Sequence, residues 1–591
     1  MSYFSRHKNI ISLAFLVIVF FIGTASFNYL AQTDNYIKWS SPDETANYFF
    51  TREFARTSQL SFFDKAGVIG DYLLMPRSVR NDFGFIKPVS FLGIILIYGN
   101  LAAILGVAII PYLTPLFASF GIVIFYFLIK RLFSERIALW SAFILAFFPV
   151  YIYYTVRSMF HNVLFIVLVL AGLYLMALAL GSTKPEQRKF LSWQLPWSFW
   201  QQAVYALMGG GLLGLALITR TSEVLWLGPT LFFAWLFYAR RLGLTKLVLT
   251  VAGLLAPLVV VAYYNQILYN SFWYGGYNEM NRSLDDIASS GRALFDSGWG
   301  SQGLEYLRAV GERILDNIFY FGLNWQQSLV MFRHYVIEMF PFLTYVGLGG
   351  LALLVGQNFY HPRRKHIILL LTWLAASIFL IFYYGSWQFN DNPDLSRYTI
   401  GNSYTRYWLP IYLGLIPLAS LVLVKVTRAL SCLLPTAVKG MRPIFAFSLQ
   451  VLAVWFLAVW SLNFVLFGSE EGLVRLYYVN QAEKINSERI LALTEPEAII
   501  ITRYHDKFFW PERRVIMGTF PNDEIFTAAT KLTNYYPVYY YNFYFSESDL
   551  EYLNSRRLVP YRLRLVTIGK FNSDFGLYRL ERYASSEETT K

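Results

Sequence analysis

Asp43 and Glu44 form an acidic pair in the run Ser40-Ser41-Pro42-Asp43-Glu44-Thr45-Ala46-Asn47-Tyr48, about ten residues beyond the first long apolar stretch. A carboxylate held in place can take the proton from an attacking hydroxyl. The pair also has a plain structural reading. Ser41 and Pro42 fit a helix start, where acids in the first turn favour the positive end of the dipole. Four cations, Lys87, Arg157, Arg220 and Arg406, stand near the ends of apolar stretches. A fixed Lys or Arg can hold a phosphate group, and it can equally snorkel to lipid headgroups and anchor a helix.

The elements that position these residues follow from composition. The 591 residues are 56% hydrophobic and 15% charged, against roughly 25% charged in an average soluble domain. A soluble enzyme is excluded. The apolar surplus lies in runs of about 17 to 25 residues, each long enough to cross a bilayer as a helix. These runs lie at about 10–30, 109–129, 136–155, 160–181, 202–219, 223–239, 245–267, 339–357, 366–385, 405–424 and 443–467. Eleven spans are counted, with eleven to thirteen as the range. The stretch 88–108, interrupted by Gly93, Gly99 and Gly106, is read as a juxtamembrane or re-entrant helix.

Basic residues orient the spans. Lys130, Arg131 and Arg136; Lys184, Arg188 and Lys189; Arg240, Arg241 and Lys246; Arg363, Arg364 and Lys365; and Lys425, Arg428, Lys439 and Arg442 fill every second connection. The positive-inside rule then makes those connections and the N-terminus cytoplasmic. With Arg6 and Lys8 ahead of it, the first apolar run is read as a span rather than a cleaved signal peptide. Three pieces are exported on this reading: 31–87, about 268–338, and 468–591. The net charge of +13 does not point to nucleic acid, because residues 468–591 hold 16 Lys and Arg against 17 Asp and Glu. The excess sits in the membrane portion, where basic cytoplasmic loops account for it.

The pattern around Asp43-Glu44 resembles the first-loop motif of C-type (GT-C) membrane glycosyltransferases, and more narrowly the protein O-mannosyltransferase and aminoarabinose transferase superfamily. The resemblance rests on that pair with Tyr48 and Arg52-Glu53-Phe54-Ala55. It continues through Ile86-Lys87-Pro88, Leu128-Ile129-Lys130-Arg131-Leu132-Phe133 and Tyr154-Thr155-Val156-Arg157-Ser158-Met159. Leu217-Ile218-Thr219-Arg220-Thr221 and Arg406-Tyr407-Trp408-Leu409-Pro410 complete the series. It covers about residues 1–425 and implies an all-α polytopic membrane domain, 1–467. The activity implied is inverting transfer of a sugar from a polyprenyl-phosphate-linked donor to a protein, a lipid-linked glycan or an envelope polymer. Asp43 would be the base and Glu44 its support. Lys87 and Arg406 first, then Arg157 and Arg220, would hold the donor phosphate.

Acceptor or sugar contacts are expected from Tyr48, Tyr407, His161 and Trp273. Trp273 belongs to the run Asn270-Ser271-Phe272-Trp273-Tyr274-Gly275-Gly276-Tyr277, and a second aromatic run is Trp387-Gln388-Phe389-Asn390-Asp391-Asn392. Aromatic rings beside amides suit a sugar, although Trp and Tyr also populate membrane interfaces for physical reasons alone. Where many relatives carry an acid at the start of a span, this chain has His161-Asn162, which puts a family-type metal site in doubt. Six scattered histidines and one cysteine give no zinc spacing. No resident cofactor is expected, and a weakly held divalent ion is left open.

Residues 468–591 alternate β-rich runs (498–502, 514–517, 538–545, 562–568) with polar helical patterns (523–532, 547–553) and close in a hairpin-like turn at 570–576. A small extracytoplasmic α/β domain is expected. The rival function is a transporter or flippase of lipid-linked sugars, but such folds tend to carry mid-bilayer charges and internal repeats, whereas here the acidic pair sits in a loop and no repeat is visible. The absence of a retention signal and the scarcity of cysteine fit a prokaryotic plasma (inner) membrane.

Overall fold

The computed structural model describes residues 3–31, 39–181, 197–277, 281, 318–319, 322–389, 391, 394, 396–468, 470–520, 522–571, 574 and 575–582. The connection with Lys184, Arg188 and Lys189, most of 278–321, and Asn390 and Asn392 lie outside these residues. The first ten helices are α1 (Tyr3–Ala31), α2 (Pro42–Thr57), α3 (Lys65–Ile69), α4 (Leu92–Leu105), α5 (Ile110–Leu132), α6 (Glu135–Ala146), α7 (Pro149–Val156), α8 (His161–Ala179), α9 (Trp197–Thr219) and α10 (Val224–Tyr269). Later ones are given by range.

Among the described residues nine helices are long and apolar enough to cross a membrane, and the α6/α7 pair, bent by 52°, is long and apolar enough when taken together. The stretch Thr221–Tyr269 has 49 residues. At about 1.5 Å per residue it would span more than twice a ~30 Å hydrocarbon core. It breaks at Gly243, whose φ of +71° is open to glycine at little cost. Arg240, Arg241 and Lys246 flank the break, so it is a basic turn between two crossings. Counted so, the helices of the described residues fit eleven crossings by length and composition, and the chain is a multi-pass membrane protein.

The stretch 88–108 forms α4, whose 14 residues rise only about 21 Å. It packs between α2 and α9. A Cβ on Gly93 would lie 2.4 Å from the Thr219 backbone nitrogen, so only glycine permits this approach. The end of α1, the start of α2, the end of α7, the start of α8, the end of α9 and the start of the helix Leu409–Ser431 all lie on one face of the bundle.

The first connection carries a three-stranded sheet, β1 (Phe62–Phe63), β2 (Val79–Asp82) and β3 (Phe85–Pro88), in the order β1-β3-β2. Phe83 and Gly84, at φ +53° and +88°, form the tight β2–β3 turn, as a two-residue hairpin loop requires. The tail folds into β4 (Ile499–Thr502), β5 (Arg514–Met517), β6 (Val538–Phe543), β7 (Leu563–Lys570) and β8 (Phe575–Arg582), ordered β5-β4-β6-β8-β7. β4 runs parallel to β5 and β6, while β8 is antiparallel to β6 and β7. Ile500, Tyr539 and Tyr541 join the core shared with the membrane helices. Ile499, Ile501 and Tyr540 pack on the other face with the helix Asp523–Leu532. Burial on both faces explains the unbroken isoleucine run.

The tail does not stand apart. Leu74 and Met75 of the first connection bridge to Ile516 of β5. Among the described residues three ion pairs join the same two pieces: Arg77–Asp506 at 2.6 Å, Arg514–Asp64 at 2.9 Å and Lys531–Asp71 at 2.6 Å.

Candidate functional site

Ser41 caps α2 with an extended backbone, Pro42 begins the helix, and Asp43 and Glu44 occupy its first turn. The two acids do different work. Glu44 is buried at 1% exposure. Its Oε2 accepts from Arg157 Nη2 at 2.7 Å and Nε at 3.2 Å, and from the Ser41 backbone N–H at 3.2 Å. Its Oε1 is buried without a partner. Asp43 is half-buried, and its Oδ1 accepts from the Ser78 hydroxyl. Its Oδ2 takes no hydrogen bond among the described residues.

Arg406 lies on the short helix Ser403–Tyr407, whose N-cap Asn402 accepts from Tyr404 N–H. Asp391 also caps this helix by accepting from Ser403 N–H at 2.7 Å. Arg406 Nη2 donates to Ser403 Oγ at 2.7 Å. The guanidinium lies 4.3 Å from the Phe160 ring centre and 5.2 Å from that of Tyr407. Its Nε is buried with no partner, and no carboxylate pairs with it among the described residues. Asp43 and Asp391 lie within electrostatic reach of this cation.

Arg220, at the end of α9, is also close to Tyr407, at 4.5 Å from the ring centre. Its charge is matched by Glu223 at 2.8 Å, and its Nη2 donates to Tyr384 Oη at 3.1 Å. Tyr384 stacks on Tyr407 at 4.4 Å. His161, at the start of α8, places Nε2 3.2 Å from the Phe91 carbonyl. Its neighbour Asn162 donates to the Arg406 carbonyl at 3.3 Å.

The structure thus gathers Asp43, Glu44, Arg157, Arg220, His161, Arg406 and Tyr407 at one end of the bundle. Lys87 is tied elsewhere, donating to Leu268 O at 2.6 Å and to Asp82 Oδ2 at 3.2 Å. Tyr48 packs in α2 beside Trp39. Trp273 stands 83% exposed, and among the described residues no hydrogen bond or ring contact joins it to the cluster. Sequence reasoning missed Ser78, Glu223 and Tyr384. It also gave no particular role to Tyr277, whose hydroxyl lies within electrostatic reach of Asp43, Arg220 and Arg406.

Among the described residues no three His, Cys, Asp or Glu side chains gather to hold a metal ion. Of the carboxylates here, Glu44 is committed to Arg157, and Asp43 lies within electrostatic reach of Arg406. A cleft of about 700 Å³ opens along the later turns of α2, between the first connection and the tail. Phe49, Arg52, Glu53, Trp510 and Arg514 are among the residues that line it.

No protein-family model matches the sequence, and no curated protein matches it. Solved structures do. The oligosaccharyltransferase of Archaeoglobus fulgidus in its apo form superposes with a TM-score of 0.52 at 12% identity, covering 94% of this chain and 71% of that one. The same enzyme tethered to an acceptor peptide containing the NVT sequon gives 0.52 at 12% identity, covering 99% and 75%. ArnT from Cupriavidus metallidurans, bound to undecaprenyl phosphate, gives 0.51 at 12% identity, covering 97% and 98%. Likeness of this extent at such low identity is a likeness of fold: the chain has the GT-C glycosyltransferase fold.

Proposed function

We propose that the protein is an inverting membrane glycosyltransferase that moves a sugar from a polyprenyl-phosphate-linked donor to a hydroxyl on a protein, a lipid-linked glycan or an envelope polymer. The observation that carries the reading is Asp43 within electrostatic reach of Arg406, a cation with no ion pair among the described residues. Among the described residues one carboxylate oxygen is held by Ser78 while the other takes no hydrogen bond, and the guanidinium has a buried, unpartnered Nε. Asp43 takes the acceptor proton as the hydroxyl oxygen bonds to the anomeric carbon. The bond from that carbon to the phosphate oxygen breaks on the opposite face. The departing polyprenyl phosphate gains negative charge, and Arg406 stabilises it with a charge-assisted hydrogen bond.

Arg157 and Arg220 serve this reading through Glu44 and Glu223, keeping the floor of the site in shape. Tyr407 and Tyr277 offer aromatic and hydroxyl contacts to the sugar, and His161 lines the same end of the bundle. ArnT in its undecaprenyl phosphate complex supports a lipid-linked donor, and the peptide-tethered oligosaccharyltransferase supports a separate acceptor. The charge pattern supports an extracytoplasmic site.

The test uses the full chain in lipid nanodiscs and follows release of free polyprenyl phosphate from a panel of polyprenyl-phosphate sugars. Acceptor-dependent release is expected. A protein that consumes no donor, yet carries labelled lipid-linked sugar between leaflets of a vesicle, would be a flippase and would end this reading.

A further inference from the structure

We infer that Asp506, in the tail, is a positioning residue for Asp43 and acts through Arg77 and Ser78. The inference rests on the transferase reading for the importance of Asp43, while the contacts themselves stand independently of it. Asp506 has a fully buried side chain. Its Oδ1 accepts from Arg77 Nη2 at 2.6 Å and Nε at 3.1 Å, and its Oδ2 accepts from the Arg77 backbone N–H at 2.8 Å. A single carboxylate therefore fixes both the side chain and the backbone of Arg77, with charge assistance on the side-chain bonds. Arg77 Nη2 is held further by the Tyr504 carbonyl at 3.2 Å.

The next residue, Ser78, has φ of +64°. A left-handed backbone is unfavourable for a residue with a Cβ, and it persists where the surroundings over-determine it. Here the Asp506 clamp fixes the chain before Ser78, and the β2–β3 pairing, with Val79 opposite Pro88, fixes it afterwards. That conformation aims the Ser78 hydroxyl at Asp43 Oδ1. The neighbouring tail residue works on the other approach to α2, because Lys507 Nζ donates to the Ser40 carbonyl, just ahead of the N-cap. Adjacent tail residues thus hold both chain segments that meet at Asp43. Among the described residues, the other charged and titratable groups near Asp43 are Arg406 and Tyr277, from other elements, and Glu44, its neighbour on α2, with Arg157.

The experiment compares Ser78→Ala, Asp506→Asn and the double variant in full-length protein in nanodiscs. With a polyprenyl-phosphate sugar that the wild type consumes, each single variant is expected to lower kcat about tenfold to a hundredfold, the scale of a misplaced catalytic group. The donor KM should stay within about twofold. The double variant should be no slower than the slower single, because both changes cut one chain of contacts. A second readout needs no turnover: labelling of Asp43 by a water-soluble carbodiimide at one pH, read by peptide mass spectrometry. Both single variants should label several times faster than the wild type. If the wild type turns over no donor, the transferase reading fails and the labelling alone decides the positioning claim. Additive losses in kcat, a rise in KM without a fall in kcat, or unchanged labelling in Asp506→Asn would overturn the inference. Should Asp506→Asn not fold, Arg77→Gln takes its place, since it keeps the backbone bond to Asp506 and removes the guanidinium.

Discussion

Arg406 and Arg157 both lie over the Phe160 ring, at 4.3 and 4.8 Å from its centre, but their charges are matched differently. Glu44 answers Arg157, as Glu223 answers Arg220 and Asp82 answers Lys87. Among the four cations, Arg406 alone has no ion pair among the described residues. A ligand phosphate would supply one. Replacing Arg406 with Gln should therefore weaken binding of undecaprenyl phosphate by about 1.5–3 kcal/mol, the usual worth of a hydrogen bond to a charged group. The matching loss in affinity is roughly tenfold to a hundredfold, measurable by titration in nanodiscs; unchanged affinity would remove Arg406 from the donor site. The residue types of this cluster were legible in the sequence, because paired acids and isolated cations at span ends are unusual. Their division of labour was not. Whether Glu44 backs Asp43 or neutralises Arg157 depends on a contact across 113 positions, and Ser78 has no local signature at all.

At the scale of elements, α4 shows how backbone approach positions the site. Gly93 lets α4 lie against the end of α9, just where Arg220 leaves the helix. A Gly93→Val change must push the two backbones apart. Overpacking of this kind costs about 1–3 kcal/mol, so a lower thermal midpoint is expected together with a fall in activity; a variant with wild-type stability would contradict the close packing. The strands of the tail and its helix Asp523–Leu532 were readable because short β-rich runs alternate along the chain with polar helical patterns. The four-residue helix Asp506–Phe509 was not. One turn carries no periodicity, and its worth lies in what Asp506 and Lys507 touch in the first connection.

For the whole molecule, hydropathy marks the candidate spans because the bilayer imposes one length on every span, and the basic connections predict an orientation. Cys432, the single cysteine, is exposed in a connection expected to be cytoplasmic. A membrane-impermeant maleimide should label it in inverted vesicles and not in intact cells, while Cys432→Ser/Ser548→Cys should label in intact cells. The opposite pattern would invert the topology. The docking of the tail on the first connection was not legible, since it arises from ion pairs between distant segments. It carries its own pH dependence: burial, with Arg77 nearby, lowers the pKa of Lys507 from the ordinary 10.5 to about 8. Below about pH 8 this lysine is charged in both folded and unfolded chains, and the cost of burying the charge is fully present. Between about pH 8 and 10.5 the unfolded chain binds more protons, so this contribution to stability improves as pH rises. The difference in thermal midpoint between wild type and Lys507→Met should shift in favour of the wild type across that window; a constant difference would refute it.

The most direct measurement is the rate of polyprenyl phosphate release by Asp43→Asn against wild type, with donor binding measured on the same samples. Loss of a general base predicts a fall in kcat of about 10²–10⁴-fold, with donor affinity and folding retained. Release at near the wild-type rate would contradict the central claim, because no base would then be needed at Asp43.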